Sequence, residues 1–283
     1  MKILVTGVNG QLGYDILRIL KNRGYNDILA VDKDEMDITN ETDVKQTITA
    51  YNPNVVMHCA AWTAVDPAED NKELCAEVNV NGTRYIANAC KEVDAKMIYI
   101  STDYVFNGEG SKEFTVEDRP DPINTYGETK YLGEEEVKKL IDRHFIVRIS
   151  WVFGINGNNF IKTMIKLGES RDELDVVNDQ IGSPTYTYDL AKLLCDMMVT
   201  EEFGTYQATN EGLCSWYDFA CEIFEQANID VKVNPVTSDK FPTKAKRPKN
   251  SRLSKDSLSK HGFDRLPTWQ NALSRFLDEL NNN

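Results

Sequence analysis

Tyr126 and Lys130, four residues apart in Tyr126-Gly127-Glu128-Thr129-Lys130, are the residues of this chain best suited to do chemistry. On a helix that spacing puts both side chains on one face, so a phenol and an ammonium can enter the same cleft. An unperturbed phenol titrates at about 10, and bringing it to about 7 takes roughly 4 kcal/mol of preferential stabilisation of the phenolate. A lysine charge in a poorly hydrated pocket can supply that amount, so the expected chemistry is acid catalysis, with Tyr126 donating a proton and Lys130 lowering its pKa. The same spacing also arises at the start of an ordinary surface helix, so the surrounding elements must decide.

Those elements begin at the N-terminus. Lys2-Ile3-Leu4-Val5-Thr6 is an apolar run without helical period that stops at Gly7, as a buried strand would. Gly7, Gly10 and Gly13 then follow a GxxGxxG pattern, with Gln11 and Leu12 between the last two. Glycines at such positions allow a sharp turn, a close approach of backbone amides to a pyrophosphate and tight helix packing. A helix beginning near Gln11 would aim its free N–H groups and positive dipole end at the phosphates. A second apolar run, Ile28 to Val31, ends in Asp32 about twenty residues after the loop, where a carboxylate would bind ribose hydroxyls. Asp32 opposes a 2′-phosphate whereas Lys33 could receive one, so NADH and NADPH both stay open as cofactors.

Further apolar runs, at 55–61, 97–102 and 145–153, alternate with helical stretches near 43–51, 72–93 and 128–142. The pattern predicts a Rossmann-like, doubly wound parallel α/β sheet covered on both faces. In such sheets ligands bind beyond the carboxyl ends of the strands. Those ends carry Ala61, Trp62 and Thr63, then Thr102, Asp103 and Tyr104, then Trp151. Thr102 can hydrogen-bond a substrate oxygen, Asp103 and Tyr104 can orient a polyol, and Trp151 can support the apolar face of a sugar or base. Strand-end capping and core packing are the alternative roles for each.

After residue 153 the pattern becomes irregular, with amphipathic helices around 216–227 and 268–280. The expected division is a dinucleotide-binding domain over 1–153, to which 183–206 returns, and a smaller, discontinuous α/β substrate-binding lobe over 154–182 and 207–283. A basic stretch, Lys240, Lys244, Lys246, Arg247, Lys249, Arg252 and Lys255, is interrupted by Pro242 and Pro248 and reads as a loop. It either balances an acidic surface or forms a local anion site, with Arg247 gripping a phosphate through its planar fork.

Composition bounds the rest. The 283 residues can bury a sizeable core, and a net charge of −13 argues against nucleic acid as a partner. No apolar stretch is long enough to span a bilayer and the chain opens directly into a strand, so no membrane partner and a cytoplasmic location are expected. The six cysteines include no CxxC pair and read as reduced core residues. His58, His144 and His261 are too scattered for a metal site, and none is assigned.

Taken together, GxxGQLG at Gly7–Gly13, Asp37-Ile38, AAWTAVDxAE at Ala60–Glu69, STDYVFxG at Ser101–Gly108, YGxTKxxGE at Tyr126–Glu134, SWVF at Ser150–Phe153, NNF at Asn158–Phe160, NDQxGSPT at Asn178–Thr185 and RPxNSRL at Arg247–Leu253 resemble the extended short-chain dehydrogenase/reductases nearly end to end. Within them the match is to the branch that reduces dTDP-4-keto-6-deoxy-L-sugars, the last step towards dTDP-L-rhamnose. The resemblance implies Gly10, Gln11 and Leu12 at the cofactor phosphates, Asp32 at the ribose, Asp37 and Ile38 near the adenine, and Ala61, Trp62 and Thr63 beside the nicotinamide half. It implies Thr102, Tyr126 and Lys130 as the catalytic set, with Asp103, Tyr104 and Trp151 facing a dTDP-sugar. It also implies NADH or NADPH as cofactor, Mg²⁺ in some members, and homodimers. A nucleotide-sugar epimerase or 4,6-dehydratase would share the Tyr-Lys pair, although relatives of the dehydratase type carry an acid where Tyr104 stands. A non-catalytic NADP-binding subunit, like the methionine adenosyltransferase β subunit, would share the fold.

Overall fold

The computed structural model describes residues 1–282. Its centre is a six-stranded parallel sheet of β1 (Ile3–Thr6), β2 (Ile28–Val31), β3 (Val55–His58), β4 (Lys96–Thr102), β5 (His144–Ile149) and β6 (Gly204–Gln207). Their order across the sheet is β6-β5-β4-β3-β1-β2. The principal helices are α1 (Gln11–Asn22), α2 (Glu41–Tyr51), α3 (Thr83–Glu92), α4 (Thr125–Leu140), α5 (Phe160–Gly168), α6 (Thr187–Met197), α7 (Trp216–Ala227) and α8 (Trp269–Asn282). Between β3 and α3 lie two short helices, Val65–Asp70 and Lys72–Ala76, and a π-helical segment, Glu77–Gly82.

The near-continuous apolar strands follow from burial on both faces. Ile3, Val5, Val55 and Met57 enter one core with α1 and α6, whereas Leu4 and Val56, one residue out of phase, enter the other with α2 and α3. The sheet register aligns Thr6 with Val31 and His58, and Thr102 with Ile149, so the strands end along one edge. The strand order reverses at β1, which places the glycine loop at the switch point where this architecture opens a crevice.

Three expectations change here. The apolar run 145–153 is not one strand: β5 stops at Ile149, and Trp151 takes a left-handed conformation (φ +49°) before a short strand at Val152–Phe153. A non-glycine residue in that region carries a strain of order 1–3 kcal/mol that its surroundings must sustain. The sheet also gains β6, a short strand with a polar end that periodicity does not reveal. A third core gathers Phe153, Ile161, Leu174, Phe219, Phe224, Leu273 and Phe276. Leu258, Phe263 and Leu266, from the stretch expected in the smaller lobe, instead join the sheet-side core beside α6.

Candidate active site

The loop from β1 to α1 is held close to the sheet. Gly7 has φ +69°, and a Cβ there would lie 2.7 Å from the Ala60 backbone nitrogen, so only glycine fits. The carboxylate of Asp32 is fixed on both oxygens, accepting from the Asn9 N–H at 2.9 Å and the Lys33 N–H at 2.8 Å. Asp37 accepts from the Thr39 hydroxyl (2.7 Å) and N–H (2.9 Å), bonds that hold its pKa below the ordinary value. The Gln11 side chain turns to the second half of the chain, accepting from the Gly154 N–H (2.9 Å) and Asn159 Nδ2 (3.1 Å). Asn156 Nδ2 donates to the Asn9 carbonyl at 2.7 Å, a second tie between the loop and residues beyond 153.

A cleft of about 750 Å³ opens over this loop. Gly7, Gly10, Gln11, Leu12, Gly13, Asp32, Lys33, Asp37, Ile38, Ala61 and Thr63 line it, and so do Thr102, Asp103, Tyr104, Tyr126, Lys130 and Trp151. Trp62 stays outside the lining: its N–H donates to Asn79 Oδ1 (2.8 Å) and its indole N–H to the Ala64 carbonyl (3.0 Å). The volume and the mixture of apolar walls with a few fixed polar groups suit a dinucleotide, and the Asp32 carboxylate stands where a ribose would need it.

The catalytic candidates meet at the start of α4. Asn124 caps this helix by accepting from the Gly127 N–H at 2.8 Å, and Glu69 receives the Thr125 N–H at 2.8 Å. Gly127 carries no Cβ because one would strike the Tyr104 carbonyl, so helix and strand end approach closely. Thr102 hydrogen-bonds the Tyr126 phenol and donates to Asp103 Oδ1 at 3.0 Å, and the rings of Tyr104 and Tyr126 meet edge-to-face at 5.5 Å. Lys130 is 3% exposed, with Nζ 4.0 Å from the Tyr99 ring centroid.

The electrostatics correct one expectation. Burial raises the Tyr126 pKa; the Thr102 hydrogen bond opposes this, and Asp103 adds to it. Lys130, which was expected to bring the phenol towards neutrality, is itself pushed down to about 7, chiefly by burial and against the field of Glu134. Desolvation penalises the charged form of both groups and is the largest cause of each shift. Tyr126 is therefore protonated across the neutral range, the form a proton donor requires. Asp103 is raised to about 6, first by burial. His58 is structural: buried, bonded to Thr6 Oγ1 at 2.9 Å and to Thr83 Oγ1 at 3.3 Å, and pushed to about 3 by burial and by the Lys130 charge.

Next to the first cleft lies a second, of about 1070 Å³, which shares Tyr104 and Trp216 with it. Arg247 lies on this second cleft, and its fork does not face it unaccompanied: Nη2 and Nη1 pair with Asp66 at 2.6 and 3.1 Å. Lys249 pairs with Asp179 at 2.9 Å and Lys244 with Asp70, whereas Lys246 has no ion pair among the described residues. Trp151 stacks on Trp216 at 3.8 Å and 15° where the two clefts join. The six cysteines are unbridged, and among the described residues no group of three or more His, Cys, Asp or Glu could hold a metal ion. No helix there is long and apolar enough to cross a membrane.

The model of a family described as the RmlD substrate binding domain matches residues 1–282. The dTDP-4-dehydrorhamnose reductase of Escherichia coli K12 is 37% identical over 99% of this chain and 98% of its own length. The chain belongs to the dTDP-4-dehydrorhamnose reductase family. A solved member of this family from Clostridium acetobutylicum is 45% identical, covers 99% of this chain and 100% of its own, and superposes with a TM-score of 0.97. Another, from Bacillus anthracis in complex with NADP, is 45% identical with the same coverage and a TM-score of 0.96.

Several residues of this site escaped the sequence reading. Trp216 lines both clefts but reads as the first residue of an amphipathic helix, with Ser215 and Asp218 forming its capping box. Asn79, which fixes the Trp62 backbone, sits in the π-helical segment and has no local signal. Asn9 could have been noticed, since it lies inside the glycine motif; its backbone N–H fixes the Asp32 carboxylate.

Proposed function

We propose that this chain reduces the C4 carbonyl of dTDP-4-dehydro-β-L-rhamnose to give dTDP-L-rhamnose, using NADPH or NADH. The observation that carries the reading is the meeting of Thr102, Tyr126 and Lys130 in the same cleft as the fixed Asp32 carboxylate, beside a second cleft lined by Lys246 and Arg247. The relatives' names support it, and NADP in the Bacillus anthracis member supports a nicotinamide dinucleotide.

When bound, the reduced nicotinamide supplies the hydride. Asp32 holds the adenosine ribose, Asp37 and Ile38 flank the adenine, and Ala61 and Thr63 wall the nicotinamide half. Tyr126 carries the proton that the C4 oxygen takes up as its charge grows, and Thr102, already bonded to the phenol, aligns that oxygen. Lys130 holds the nicotinamide ribose and steadies the phenolate left behind. Asp103, Tyr104 and Trp151 face the sugar, and Lys246 with the Asp66-anchored Arg247 takes the diphosphate end. The lobe of 154–182 and 207–283, apart from the stretch around 258–266 that packs on the sheet side, serves the nucleotide sugar. No step is assigned to Mg²⁺, for which the described residues offer no ligand cluster. A cytoplasmic homodimer belongs to the same proposal, and sedimentation would test its second half.

The test is oxidation of NADPH and of NADH by the purified protein, with the keto sugar generated in place by the upstream enzymes. Stoichiometric oxidation with formation of dTDP-L-rhamnose is expected. Cofactor binding without oxidation would point to a non-redox relative instead.

A further inference from the structure

We propose that Glu134 is a positioning residue for Lys130: a buried carboxylate one helical turn away, fixed by Ser101 and Arg148, that supports the ammonium beside Tyr126. The proposal rests on the reductase reading of the cleft. Glu134 follows Lys130 by four residues on α4, so the two share a helix face one turn apart. It is 0% exposed and engaged on both oxygens. Ser101 Oγ donates to Oε1 at 2.6 Å, Arg148 Nε donates to Oε1 at 2.9 Å, and Arg148 Nη2 donates to Oε2 at 2.7 Å. Lys138 approaches Oε2 at 3.6 Å from the outer side. One carboxylate thus joins the end of β4 beside Thr102, β5 shortly before Trp151, and the helix that carries Tyr126 and Lys130.

Stability alone is a weak reason for such a pair, because removing two charges from water costs several kcal/mol per ion and a packed apolar pair often does as well. The surroundings of Lys130 supply a better one. The groups facing or reaching the ammonium are Tyr126 and Glu134 on its own helix, Tyr99 on β4, His58 on β3, Cys59 just beyond it, and Cys75 on the short helix Lys72–Ala76. Burial keeps nearly all of them neutral near pH 7: it raises both tyrosines and both thiols, Cys59 to about 12, and pushes His58 to about 3. Glu134 is the exception. Arg148 and Ser101 overcome the cost of its burial and hold its pKa below the ordinary value. Among these groups Glu134 therefore carries the negative charge that opposes the desolvation of Lys130.

The signs follow directly. Lys130 is charged below its pKa, so activity that depends on the ammonium falls as pH rises through that value. Glu134→Gln removes the opposing charge and lowers the lysine pKa, which moves the falling limb to lower pH. The experiment measures kcat against pH, and NADPH affinity against pH by protein fluorescence, in the full-length wild type, Glu134→Gln and Glu134→Asp. In Glu134→Gln the limb should move down by about one unit or more in both readouts, with kcat at the alkaline end falling about tenfold and KM for the sugar changing little. Glu134→Asp keeps the charge and should hold the limb near the wild-type position even if it melts earlier. Equal losses of thermal stability in both variants with an unmoved limb would reduce Glu134 to a structural role and overturn the proposal. Should Glu134→Gln fail to fold, Glu134→Gln/Arg148→Gln, which removes both members of the buried Glu134–Arg148 pair, reads the same limb with the same expected direction. The binding readout needs no sugar, so a wild type that binds NADPH without reducing the keto sugar refutes the reductase reading and still leaves Glu134 tested.

Discussion

The two clefts are built by different means. The first is organised by the sheet: its loop leaves β1, the Asp32 carboxylate follows β2, and Thr63, Thr102 and Trp151 follow β3, β4 and β5, so local chain rules place each of them. The second is organised by side-chain pairs that join distant segments, such as Arg247 with Asp66, 181 positions apart, and Lys249 with Asp179. A strand-end site is fixed by backbone hydrogen bonding and tolerates little change in position, whereas a site of paired side chains can be altered one partner at a time. The difference predicts that substitutions in the first cleft act on chemistry and cofactor, and those in the second on substrate affinity.

The largest effect should come from Tyr126→Phe, which removes the proton donor and leaves the ring. Turnover should fall by about 10²- to 10⁴-fold while NADPH affinity stays within about twofold. Parallel loss of both, read by single-turnover kinetics and fluorescence titration, would break the division between chemistry and binding.

Asp103 sharpens the comparison through stability. Its folded-state pKa of about 6 lies above the ordinary carboxylate value, so the folded chain binds more protons than the unfolded chain between about pH 4 and 6. Stability contributed by this group is present at low pH and is lost as pH rises through that window. Asp103→Asn should abolish the dependence, gaining roughly 2 kcal/mol relative to wild type between pH 4 and 7, as urea unfolding would show. A constant difference across the window would contradict the burial argument.

Asp32→Ala should change the preference between cofactors. Loss of a carboxylate that opposes a 2′-phosphate should shift the ratio of kcat/KM towards NADPH by about tenfold, with the sugar KM unmoved. Arg247→Ala should have the smallest effect, raising the sugar KM by about three- to tenfold without changing NADPH affinity. Its pair with Asp66 is partly exposed, and the melting temperature should barely move. An unchanged KM would remove Arg247 from the substrate site and leave its ion pair as a surface feature.

Much of the sheet is legible in the sequence because strands buried on both faces must be apolar throughout, and the glycine pattern must follow the first of them. The Tyr126–Lys130 spacing could be read for a similar reason, since four residues make one helical turn. The break at Trp151 could not, because the left-handed conformation favours glycine or asparagine and nothing local announces a tryptophan there. β6 escaped because four residues ending in Gln207 show no period. The charge balance at Lys130 was misjudged for a deeper reason: spacing shows which groups meet, but not how much water they lose on meeting.

The central claim is that Tyr126 and the fixed cofactor cleft serve hydride delivery to C4 of a dTDP-linked keto sugar. Its most direct test is reaction with NADPH carrying deuterium at the transferable position of nicotinamide C4, followed by NMR of the sugar product. Deuterium at sugar C4 of dTDP-L-rhamnose is the predicted result. An unlabelled product, or label at another carbon, would contradict direct transfer in this site.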